Sequence, residues 1–165
     1  MSDPKLTIEQ ILALLAGHPQ QIAAATVGLT AEQLHAAPNP GEWSAVAILA
    51  HLRSCADVWG GCIVEIVEKD HPTIRAINPR TWIERTEYRQ QEFQPALAAF
   101  TAHRAELLSF MNRLTTEDWA RTATVTGAGR PIERNVYWYG VGLASHERSH
   151  VKQFARIAKE MQAQK

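Results

Sequence analysis

The chain has 165 residues, with seventeen Lys and Arg balanced by seventeen Asp and Glu, 45% hydrophobic and 21% charged. That length suits a single domain over residues 1–165, long enough to close a core without disulfides or a structural metal. Without net charge or a basic run, the sequence lacks the footprint of a nucleic-acid binder or of a membrane-surface protein.

In chain order, the opening MSDPKLTIEQ has no basic region leading into an apolar stretch, so no secretory signal is read and a cytoplasmic protein is expected. Thr7 with Gln10 makes a capping box, and Leu6 with Ile11 a hydrophobic staple. Ile8, Ile11, Leu12 and Leu15 then form an amphipathic stripe. Gly17 and Pro19 predict an interruption, with the helix resuming over Gln20 to Val27 after a kink or short break. Thr30 and Gln33 repeat the capping box for a short helical turn, followed by the loop HAAPNPGEWS.

Ser44 is the expected N-cap of a second long helix reaching about Lys69, with Trp43 stapled onto Ile48. Its apolar run AVAILA (45–50) is far short of the roughly 20 residues that span a bilayer. Cys55 and Cys62 on this helix would have Cα atoms roughly 10 Å apart, too far for a disulfide. Gly60-Gly61 weaken the helix and are expected where another helix packs close.

Residues 70–90, with Pro72, Asn78 and Pro79, read as a long crossover with a turn of helix near Trp82. A third helix begins near Gln91–Gln94, because Pro95 suits a first turn, and its apolar face runs from Phe93 to Leu114. Residues 115–133 form another long connection, with a small β-hairpin around Ala123, Val125 and the glycines. The last helix is expected from about Ile132 to Gln162, with Val136, Tyr139, Leu143, His146, His150, Phe154 and Ile157 near one face. The reading is an all-α four-helix bundle with long crossovers and a hairpin before the last helix.

Of the seven histidines, His18, His35, His71 and His103 read as surface or capping residues. His146 and His150 differ. Four apart on one helix, they place two imidazoles on one face within reach of one metal ion. They belong to HERSH, an H-E-x-x-H string like that of zinc proteases. The protease reading fails on its third ligand. Gln153 and Arg156 stand where the elongated motif needs Gly and His, and the only later glutamate, Glu160, lies on the same helix. A third ligand must therefore come from upstream. His51, in WSAVAILAHL, is the candidate, although its apolar neighbours suit a hydrogen-bonded core histidine equally well.

GEWSAVAILAHL (41–52) followed by HERSHVKQ (146–153) resembles the DinB-like superfamily of damage-inducible, YfiT-type proteins, and the resemblance covers nearly the whole chain. It implies a four-helix bundle with a three-histidine metal site, here His51, His146 and His150. Such a centre keeps an open position and suits zinc or nickel, with ferrous iron also compatible. The resemblance further implies a small-molecule substrate and chemistry by a thiol-dependent S-transferase, hydrolase or isomerase. Mycothiol, bacillithiol or glutathione would be the thiol. The rival reading is a non-enzymatic metal- or ligand-binding protein that pairs into homodimers.

In this setting Glu147 faces the site rim or solvent, a lesser candidate for general base. Cys55 is a candidate pocket thiol, Gln153 a hydrogen-bond partner near the site, and Tyr139 a pocket or core residue. Trp43 is assigned to packing.

Overall fold

A computed structural model describes residues 5–164; Met1–Pro4, part of the stretch read as lacking a secretory signal, and Lys165 lie outside the described residues. Four long helices dominate: α1 (Ile8–Thr26), α3 (Ala45–Glu68), α5 (Phe93–Met111) and α7 (Val136–Ala163), with short α2 (Ala31–His35) in the first connection. Thr7 and Thr30 cap α1 and α2 through the expected boxes, and Ser44 Oγ accepts from the Ala47 N–H to start α3.

The first helix is not interrupted. Pro19 lies inside α1, buried, and the helix runs through it. A proline removes the N–H that would bond the carbonyl four residues earlier, here Leu15. That carbonyl instead accepts from Arg104 Nη1 of α5 at 3.1 Å. A distant guanidinium thus satisfies the group that the proline leaves bare.

The connections are all long, spanning residues 27–44, 69–92 and 112–135. Their length follows from topology. α1 packs chiefly on α7 and α5, and α3 on the same two, so α1 lies diagonally across from α3, as α5 does from α7. The crossover 69–92 carries a strand, β1 (Thr73–Arg75), the short α4 (Pro79–Trp82) and two single 3₁₀ turns. Asp57 of α3 holds it down, accepting from Trp82 Nε1 at 3.1 Å and from the Tyr88 hydroxyl at 2.7 Å.

The last connection holds α6 (Thr116–Ala120) and the hairpin β2 (Thr122–Thr126) and β3 (Ile132–Asn135). β1 joins β2 in parallel, making a three-stranded sheet that the sequence reading lacked. Gly127 and Gly129, with φ of +85° and +90°, make its turn. Consequently Ile132–Asn135 is strand rather than the start of the last helix, and Asn135 is the N-cap of α7. The glycine pair expected where another helix packs close is not forced by space: a Cβ at Gly60 would make ordinary van der Waals contact with Leu107 of α5 at 3.4 Å, and Gly61 has open space.

The core divides into two apolar clusters. One gathers Ile11, Leu15, Ile63, Leu107 and Leu143; the other gathers Ile22, Leu49, Phe100 and Phe154. Between them lies a buried polar layer to which each long helix contributes: His18, Ser54, Arg104 and Glu147. α3 and α7, which carry the three histidines of the candidate site, are neighbours in this arrangement.

Candidate metal centre

The three histidines come together. His51 stands two turns into α3, and His146 and His150 stand one turn apart on the facing side of α7. His51 Nε2 lies 3.1 Å from His146 Nε2, which lies 3.2 Å from His150 Nε2. The rings meet edge to face, with centroids 4.6–5.3 Å apart. His51 is 8% exposed and the other two are half-buried.

One imidazole nitrogen, His146 Nε2, within 3.2 Å of two others is poorly explained by hydrogen bonds alone, because it carries at most one proton to share between them. The His150 Nδ1–H donates to Gln153 Oε1 at 2.8 Å, which leaves His150 Nε2 as a bare lone pair facing His146. Two nitrogens bound to one ion at about 2.0–2.1 Å would stand about 2.9–3.4 Å apart, the spacing seen here. The protonation state agrees. Burial, then the neighbouring imidazoles and the Arg80 charge, lowers His51 from 6.5 to about 4. Burial and His150 do the same for His146, and burial lowers His150 against the opposing Gln153 bond. All three are neutral near pH 7, the form that ligates.

Cys55 also lies close, with possible ligand atoms of His51, Cys55 and His146 all within 4.8 Å of one another. Its direction is wrong for sharing an ion. The sulfur is 3.6 Å from His51 Nε2 and 3.9 Å from Nδ1, hence beside the ring. An atom ahead of the Nε2 lone pair would be far more distant from Nδ1, across the ring. Burial also pushes the Cys55 thiol up to about 12, and its sulfur packs against the imidazole.

Glu147 corrects the sequence reading most sharply. It faces neither the rim nor solvent but is 0% exposed. Both its oxygens accept from the Arg104 guanidinium, and Oε2 also bonds His18 Nδ1 at 2.9 Å. Burial opposes its ionisation, yet the bonds and charges of Arg104 and His18 outweigh that and hold the carboxyl below its usual range. A carboxylate so committed is not free to take a proton from substrate. His18, expected at the surface, is fully buried in this network. Both partners were detectable as polar interruptions of apolar stripes: His18 between Leu15 and Ile22, Arg104 between Phe100 and Leu107.

His35, His71 and His103 are exposed, as expected, beside Glu92, Glu133 and Asp57 respectively. Tyr139 is core, packed two turns before His146, and one edge of it lines a separate cavity with Cys62 and Trp138. Trp59, unremarked in the sequence, meets His146 edge to face at 5.1 Å.

A cavity of about 460 Å³ opens beside His51. Trp43 and Ala47 line it from the α3 side, and Arg80, Ile83 and Arg89 from the crossover. Trp43 is thus a cavity wall, its ring 5.3 Å from that of His51. A larger groove of about 520 Å³ between α3 and α5 touches none of the three histidines.

Comparison with known proteins agrees with this architecture. YfiT from Bacillus subtilis, described as a probable metal-dependent hydrolase with an unusual four-helix bundle topology, superposes with a TM-score of 0.80 at 16% identity, covering 98% of this chain and 93% of its own. A Geobacillus kaustophilus protein, named provisionally as a metal-dependent hydrolase, is 23% identical over 158 residues, covering 92% of this chain and 84% of that one. The model of the DinB superfamily matches residues 14–154, which include all three histidines. The chain belongs to the DinB superfamily.

Proposed function

We propose that this protein is a metal-dependent hydrolase of a small molecule, with one divalent ion held by Nε2 of His51, His146 and His150. The observation that carries the reading is the 3.1 and 3.2 Å spacing of these nitrogens. The hydrolase assignment draws on the names of its relatives. A three-nitrogen set keeps positions open, and an ion there supplies Lewis acidity and lowers the pKa of water or a thiol bound to it. Zinc or nickel suits the donors, and ferrous iron is also accommodated. Gln153 orients His150, Cys55 and Trp59 wall the rings, and the cavity beside His51 admits substrate.

The test is turnover of an ester, amide and phosphoester panel by protein purified without a nickel column, stripped with chelator and reloaded with zinc, nickel or iron. Hydrolysis that needs the metal and no thiol is expected. Turnover only with added glutathione, bacillithiol or mycothiol would move the assignment to thiol-dependent S-transfer or isomerisation. A metal-loaded protein inert in every arm would favour the binding, dimerising role.

The lowered histidine pKa values make a second prediction. An unfolded histidine holds its proton below about 6.5, whereas folded His51 and His146 hold theirs only below about 4. Between these values the fold binds fewer protons, so the metal-free protein loses stability as pH falls from 6.5 toward 4. Zinc affinity should stay nearly flat from pH 7 to about 5 and drop below that, because protons compete only there. A competition titration against a chromophoric chelator across this range checks it, and a decline already complete at pH 6 would contradict it.

A further inference from the structure

The cavity beside His51 has a charge character that the balanced composition of the whole chain hides. Its crossover wall presents two guanidinium groups, Arg80 and Arg89, against one carboxylate, Glu84. Among the ion pairs of the described residues, neither arginine takes part, with Glu84 or with any other carboxylate. The backbone at Arg80 is nonetheless held in place. Its N–H bonds the Asn78 side chain at 2.9 Å, the flanking Pro79 and Ile83 are buried, and its guanidinium lies 5.4 Å from the Trp43 ring. Trp43 in turn touches His51. One wall of the cavity therefore carries His51 of the histidine centre, and the crossover wall carries the two arginines.

We propose that the substrate is a small anion whose carboxylate or phosphate group is held by Arg80 and Arg89 across this cavity while the bond acted upon lies at the histidines. The proposal rests on the metal-dependent reading above. Guanidinium forks match planar and tetrahedral oxyanions through paired N–H donors, and an unpaired guanidinium keeps all of that capacity for a ligand. A metal ion, two arginines and one glutamate leave the site net positive, which draws anions in and discriminates against neutral analogues. Arg80 and Arg89 are positioning and specificity residues in this account. They orient the substrate and do not touch the reacting bond.

The test uses the cobalt-loaded protein, whose visible spectrum changes when a thiolate reaches the ion. The probes are ω-mercapto acids of four and six carbons beside their neutral amides, so that the thiol ends are alike and the far ends differ in charge. At least one acid should bind about tenfold or more tightly than its amide, the factor that about 1.4 kcal/mol of charge-assisted bonding provides. In the double variant Arg80→Gln/Arg89→Gln the preference should vanish, with cobalt content and amide affinity unchanged. Equal binding of acids and amides by cobalt-loaded wild type, or a preference that survives in the double variant, would overturn the anion site alone. Failure of the wild type to take up cobalt would overturn the metal reading and this assignment with it.

Discussion

Zinc affinity falls by at least about 100-fold in His51→Ala, and comparably in His146→Ala and His150→Ala, while the helical content of each variant stays that of the wild type. Losing one of three nitrogen donors removes a bond to the ion outright. Loss of an outer partner such as Gln153 should cost less, about tenfold in Gln153→Ala, because the ring stays but its tautomer and orientation are no longer held. Cys55→Ala should leave zinc affinity within a few-fold, since its sulfur lies beside the His51 ring and not ahead of Nε2. Competition titration of zinc, with circular dichroism as the folding control, reads all five variants. Affinity unchanged in His51→Ala, or collapsed in Cys55→Ala, would contradict the donor set.

Glu147→Ala destabilises the fold by about 3–5 kcal/mol, the cost of leaving a buried charge without its partner. Arg104→Ala should cost at least as much, because it also strips the Leu15 carbonyl of the donor that replaces the one missing at Pro19. By contrast Arg104→Met/Glu147→Leu should recover part of the loss, since apolar replacement of both partners removes the desolvation cost as well as the attraction, while the Leu15 carbonyl and His18 Nδ1 still lose their partners. Urea denaturation of the metal-free proteins measures all three. A Glu147→Ala variant as stable as wild type would mean that the carboxylate is not holding the polar layer together. This prediction also separates the H-E-x-x-H string from its protease meaning. The glutamate ties α7 to α1 and α5, and the histidines on either side of it face α3.

Much of the fold was legible because its signals are local. Thr7, Thr30 and Ser44 start helices through bonds to backbone three residues on, and such caps are visible as spacing alone. What the sequence hid depends on partners far along the chain. The continuity of α1 through Pro19 needs Arg104, 89 residues away. β1 is three residues long and exists by pairing with β2 across the whole of α5, so no run of alternating residues announces it.

The candidate site divides in the same way. His146 and His150 stood out by helical spacing, and His51 became a strong candidate only through the family resemblance. Arg80 and Arg89 carried no periodic signal, because they sit on a crossover whose place beside His51 is set by tertiary contacts such as the Asp57 bonds to Trp82 and Tyr88. Trp43 precedes the N-cap, where a staple is the usual role, and nothing local announces that its ring also walls the cavity beside His51.

The central claim is that three imidazoles, and no thiolate, hold one divalent ion. Anomalous diffraction from crystals of the zinc-loaded protein, collected on both sides of the zinc edge, tests it most directly. The account predicts a single zinc peak within about 2.0–2.1 Å of Nε2 of His51, His146 and His150, with Cys55 Sγ outside the coordination sphere. A peak bonded to Cys55 Sγ at about 2.3 Å, or no peak among these histidines, would contradict it.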